Sequence, residues 1–152
     1  MRRFPVRYMD LVSELEDDGM LLDIYALNTT IQDWSRLLAL APSLGEVEYY
    51  CGGIEASLPS SANTIFEDRN LFHNLHIDLG GVDIRTFFYT ADEIELFFDP
   101  VEITSQAKLD LVLNFCAKLG REIKRDIMIT AENSPQAVYF HYSVDQNTWR
   151  SS

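Results

Sequence analysis

The chain is short of cysteine, of positive charge and of any recognisable active-site signature, and each shortage excludes something. Only Cys51 and Cys116 are present, so no disulfide framework staples the fold. Cys116 falls on a helical apolar stripe and Cys51 ends a strand-like run; both are expected as buried thiols, which suits a reducing compartment. Twelve Lys and Arg face 24 Asp and Glu, leaving a net charge of −12. That balance repels phosphate backbones and disfavours direct nucleic-acid binding. It favours a basic partner, although acidity also simply keeps a protein soluble. "MRRFPVRYMDLVSE" has no uninterrupted apolar core and does not read as a signal peptide. No apolar run reaches membrane-spanning length, so a cytoplasmic protein without a membrane partner is expected.

Catalytic motifs are equally scarce. There is no G-x-S-x-G elbow, and neither cysteine neighbours a histidine. Gly52-Gly53 and Gly80-Gly81 match no phosphate-cradling pattern and read as hairpin turns. "HNLH" sets His73 and His76 three apart, a spacing that suits a helix but diverges on a strand. The expectation is no metal, no cofactor and no enzyme activity.

What is present reads as one domain over residues 1–152, long enough to bury a sizeable core. Residues 1–20 fit an N-terminal helix, with Tyr8, Leu11, Val12 and Leu15 at helical spacing. Its acidic end sits where the helix dipole disfavours anions. "LLDIYAL" suits a strand. Thr30 and Asp33 form a shortened capping box for a helix carrying Ile31, Trp34, Leu37, Leu38 and Ala41, which Pro42 should stop. "EVEYYCGG" is a strand with a glycine turn, followed by a loop with room for one short helix. "LHIDL", "VDIRTFFY" and "EIELFF" make a three-stranded antiparallel meander. Ser105 or Thr104 caps the main helix, striped by Leu109, Val112, Cys116, Leu119 and Ile123. Gly120 marks close packing or an earlier stop. "DIMIT" and "AVYFHYS" close the fold, and residues 144–152 read as a frayed tail. The sum is an α+β fold: a largely antiparallel sheet, a central three-stranded meander, and helices packed on one face.

Alternation along the meander picks out candidate functional residues. Val82, Ile84, Thr86, Phe88, Ile94, Leu96 and Phe98 point to the core. Asp83, Arg85, Phe87, Tyr89, Glu93, Glu95, Phe97 and Asp99 point away, mixing carboxylates with rings as protein-recognition surfaces do. The competing reading is that another element, such as the N-terminal segment, covers those rings. Glu16, Asp17 and Asp18 form a second acidic patch. Glu93 and Glu95 share a face, as a glycosidase pair would, but no sugar-binding cleft accompanies them.

"IDLGGVDIRTFFYTADEIELFFDP", the long helix to "LGR", and "ITAENSP" before a late strand resemble the C-terminal part of small proteins encoded beside bacterial polymorphic or contact-dependent toxins. "LDIYALNTTIQDW" is similar in layout, and the likeness covers about two-thirds of the chain. It implies a non-catalytic immunity protein that binds and neutralises a cognate, basic toxin domain by occluding its active site. Under that reading the partner-binding residues are Asp83, Phe87, Tyr89, Glu93, Glu95, Phe97, Asp99 and the acidic Glu16, Asp17 and Asp18. A general interaction adaptor and a small-ligand enzyme without a motif stay open beside it, as does the choice between monomer and dimer.

Overall fold

The computed structural model describes residues 7–9 and 20–151. Of the expected N-terminal helix Arg7, Tyr8, Met9 and Met20 fall within them, and of these Tyr8 and Met9 are helical; Glu16, Asp17 and Asp18 lie outside. The elements are β1 (Leu22–Leu27), α1 (Ile31–Leu44), β2 (Glu46–Cys51), β3 (Ile54–Ala56), α2 (Ala62–Glu67), β4 (His73–Asp78), β5 (Asp83–Thr86), β6 (Glu93–Phe98), α3 (Gln106–Ile123), β7 (Ile127–Ala131), β8 (Val138–Ser143) and β9 (Thr148–Ser151). The strands form one sheet in the order β3-β2-β4-β5-β6-β1-β7-β8-β9. Every neighbouring pair is antiparallel. The fold is therefore α+β, with the meander β4-β5-β6 at its centre.

Local chemistry starts each helix as expected. The Thr30 hydroxyl accepts from the Asp33 N–H, and the Asp33 carboxylate accepts from the Thr30 N–H, completing the box. Asp33 is buried and also takes the Arg125 guanidinium at 2.8 Å, tying the start of α1 to the end of α3. Ser105 caps α3 through the Lys108 N–H. The α3 stripe of Leu109, Val112, Cys116, Leu119 and Ile123 is buried, at about 2 kcal/mol for each large aliphatic side chain removed from water. Gly120 lies inside that helix because of close packing. A Cβ there would sit 3.0 Å from both the Arg125 carbonyl oxygen and the Tyr142 ring.

α1 and α3 pack on each other and on one face of the sheet. Trp34 is fully buried and donates its indole N–H to the Thr90 carbonyl, pinning α1 to the second turn of the meander. Phe66 and Phe88 ring it at 5.6 and 5.1 Å. Phe88 reaches that position through a positive φ of 57°, which ends β5 at Thr86. Left-handed backbone costs about 1–2 kcal/mol for an L-residue, comparable with what burying the ring returns.

Three local expectations need correction. α1 runs through Pro42 to Leu44 instead of stopping before the proline. The proline falls in the last turn, where one lost bond is tolerable and the Gly45 N–H still reaches the Ala41 carbonyl. The loop after Gly53 begins with the short strand β3. Residues 148–151 are not a frayed tail. They pair with β8, and Trp149 is buried against Tyr142 at 5.5 Å.

Candidate functional site

Because α1 and α3 cover one face of the sheet, the alternate residues of each strand form a second face, which α1 and α3 leave uncovered, called the open face below. Pairing of β2 with β4 and of β4 with β5 gathers carboxylates there: Glu46 lies opposite Asp78, Glu48 opposite His76, and Asp78 opposite Asp83. With Gly81 and Glu102 these residues line a pocket of about 320 Å³ whose lining, among the described residues, holds five carboxylates and one histidine; Lys108 stands beside it, its Nζ donating to the Gly80 carbonyl at 2.9 Å. Several of the carboxylates are already oriented. Asp78 accepts from the Gly80 and Gly81 N–H groups of the hairpin, at 2.9 and 2.8 Å. Those two bonds, the Gly81 bond foremost, hold its carboxyl below the ordinary range, and the Lys108 charge adds to the effect. Asp83 accepts from His76 Nδ1 at 2.8 Å, which fixes the imidazole proton on that nitrogen. Its own N–H donates to Glu102.

The same face becomes aromatic toward the other end of β4 and β5. Leu71, Phe72, Phe87 and Tyr89, with Arg69, Asn70 and His73, border a second pocket of about 340 Å³. Phe72 is 60% exposed and Tyr89 52%, large values for rings in a folded chain. Phe87 links them, 5.0 Å from Phe72 and 5.8 Å from Tyr89, and leans on Phe97 at 5.3 Å. Arg85 lies over Phe97 at 4.9 Å.

A third grouping sits where β6 pairs with β1. Register places Tyr25 opposite Glu95 and Leu27 opposite Glu93, with Asp23 on the same side. Asp23 is only 2% exposed, and it accepts from the Asn133 N–H at 2.6 Å and from the Tyr25 hydroxyl at 3.2 Å. Burial raises its carboxyl against the pull of those bonds. Glu95 is pushed up to about 7, first by burial and then by the charges of Asp23 and Glu93. Tyr89 rises too, through burial and the nearby carboxylates Glu95 and Asp23, which joins this grouping to the aromatic pocket.

The residues expected on this face thus separate. Glu93, Glu95, Phe87 and Tyr89 come together. Asp83 belongs to the other pocket and is engaged by His76 and, at 3.7 Å, by Arg85. Asp99 accepts from the Val101 N–H and caps the short 3₁₀ turn Pro100–Glu102. Phe97 is a correction: at 7% exposure it is a buried support for Phe87, with little ring left to offer a partner. The sequence reading missed Asp23 and Tyr25, the pocket residues Glu46, Glu48, Asp78 and Glu102, and the exposed Phe72. Alternation in "EVEYYC" puts Glu46 and Glu48 on one side, but only the β2–β4 register shows that this is the side of His76 and Asp78. On the helix side, Cys51, Asp68 and His73 bring their donor atoms within 4.8 Å of one another.

No family model matches this chain, and no curated protein or solved structure matches it. Among the described residues no helix is long and apolar enough to cross a membrane.

Proposed function

We propose that the chain is a cytoplasmic, non-catalytic immunity protein that captures a basic toxin domain on the open face of its sheet. The observation that carries this reading is the lining of the 320 Å³ pocket, five carboxylates among the described residues, on the same face as exposed Phe72 and Tyr89. A Lys or Arg side chain of the partner enters among Glu46, Glu48 and Asp78, while the rings of Phe72, Phe87 and Tyr89 bury apolar surface beside it. Aromatic anchors supply most of the affinity in such interfaces, and the charges steer encounter and fix orientation. The resemblance to proteins encoded beside toxins supplies the choice of partner. The test is co-purification with the toxin-like product of the neighbouring reading frame, followed by rescue of cells expressing that toxin. Absence of binding at low salt removes the reading; binding without rescue leaves an adaptor.

A second reading rests on Glu95. A carboxyl that exchanges its proton near neutral pH, beside Asp23 and the Tyr25 hydroxyl, has the property that general acid–base chemistry needs. Glu95→Gln separates the two. Under the immunity reading the variant still protects against the toxin; under the enzymatic one it loses turnover while remaining folded.

A further inference from the structure

We infer that Cys51, Asp68 and His73 form a binding site for a divalent transition-metal ion of the zinc type. The site lies on the helix side of the sheet edge and shares His73 with the border of the aromatic pocket, while the proposed partner capture uses none of its three donor atoms. One thiol sulfur, one carboxylate oxygen and one imidazole nitrogen lie within 4.8 Å of each other. Two local features assemble them. Antiparallel pairing of β2 with β4 sets Cys51 directly opposite His73, and Asp68 caps the C-terminal end of α2 just before β4.

The separations suit one ion. His73 Nε2 is 3.3 Å from Asp68 Oδ2. Tetrahedral zinc with bonds of about 2.0–2.1 Å to nitrogen and oxygen spans an N···O edge of about 3.3 Å. The sulfur edge is about 3.5 Å for a Zn–S bond of about 2.3 Å, inside the 4.8 Å that encloses all three donor atoms. Cys51 is only half-buried, so its side chain has room to turn.

His73 is also held as ligating histidines are held, by a hydrogen bond on the nitrogen away from the ion. It is 6% exposed, and its Nδ1 lies 2.6 Å from the Tyr49 hydroxyl. The same hydroxyl also hydrogen-bonds the Cys51 side chain. Without metal, Nε2–H donates to the Asp68 carbonyl at 2.9 Å. On binding, the ring proton moves to Nδ1 and is donated to Tyr49, whose hydroxyl turns to donate to the Cys51 thiolate. The Nε2–H bond to the Asp68 carbonyl breaks and that carbonyl turns aside, so Nε2 gives its lone pair to the ion and the thiol proton leaves to solvent. A mixed sulfur, nitrogen and oxygen set selects zinc or cobalt over magnesium or calcium. The Asp68 side chain is 37% exposed, so a water can complete the fourth position from that side.

Cobalt titration of the reduced, chelator-treated chain tests this. The expected result is one equivalent bound, with a thiolate-to-cobalt charge-transfer band in the near ultraviolet and visible bands of tetrahedral intensity, both displaced by zinc. Cys51→Ser should abolish the charge-transfer band, and Asp68→Asn should weaken binding at least about tenfold, a loss that even outer hydrogen-bond partners of metal sites produce. Both replacements keep side-chain shape at partly exposed positions, and circular dichroism checks that the variants fold. Cys116→Ser should leave the band intact. The inference is overturned by absence of the band at stoichiometric cobalt, by a band that survives Cys51→Ser, or by weak binding over several equivalents that neither variant changes.

Discussion

At one end of the open face, Asp78 accepts two backbone N–H bonds and stays readily ionised; two strands away, Glu95 is pushed up to about 7. Both are carboxylates on strands of the same meander. What differs is the supply of donors and of water. The Gly80-Gly81 hairpin aims two N–H groups at Asp78, with positive φ values of 108° and 102° that few other residues adopt. Glu95 shares its surroundings with two more carboxylates, Asp23 and Glu93, and only the Tyr25 hydroxyl pulls the other way. A count of acidic residues therefore overstates the charge this face offers near neutral pH. Asp78 is held in its negative form, whereas Glu95 changes its charge as pH moves through about 7.

The contrast can be broken from either side. The largest expected effect is on stability: Asp23→Ala removes the acceptor of the buried Asn133 N–H and Tyr25 O–H, at a cost of about 1–3 kcal/mol by denaturant titration. The same variant should lower the Glu95 titration, followed by the carboxyl carbon resonance in NMR, because a neighbouring charge is gone. Next, Glu46→Lys combined with Glu48→Lys should slow association with the basic partner at least about tenfold at low salt and flatten its salt dependence. Reversal at Glu93 and Glu95 should do less at pH 6, where Glu95 holds its proton, than at pH 8. Glu95→Gln acts more subtly. The native carboxyl binds its proton more tightly than the unfolded one, so its stabilising contribution is complete below about 4.5 and is lost as pH rises through about 7. Replacing it by Gln should flatten the stability profile across that window, read as Tm against pH. Smallest of all, Tyr89→Ala should change stability by no more than about 0.5 kcal/mol, because the ring is half exposed, while weakening partner binding.

What was legible in the sequence is what short-range chemistry determines. The Thr30–Asp33 box, the α3 stripe and the Gly80-Gly81 hairpin each need residues only a few positions apart. Alternation also gave the right side for Phe87, Tyr89, Glu93 and Glu95. The failures share a cause in pairing across long stretches of chain. Asp23 sits in "LDIYAL" where alternation says only which side it takes; its burial depends on Asn133, 110 residues later. Trp149 becomes core because β9 completes an edge beside β8, which nothing in "NTWRSS" announces. Cys51 and His73 are far apart in sequence and meet only through the β2–β4 register. Their spacing resembles no compact metal motif, so motif reading passed over them. Phe97 failed differently: it faces the expected side, but Phe87 and Arg85 close over it.

The position of β1 has a consequence for how the molecule is made. Among the described strands β1 leaves the ribosome before the others and lies between β6 and β7, so both its neighbours are synthesised long after it, the second from residue 127 onward. The meander can zip up from adjacent segments while β1 waits, an unclaimed apolar ribbon. Seating it closes a seam between two halves of the sheet, a late, long-range step that topology makes slow. A nascent chain halted before β7 would leave that ribbon with one bare edge, open to pairing with a stranger.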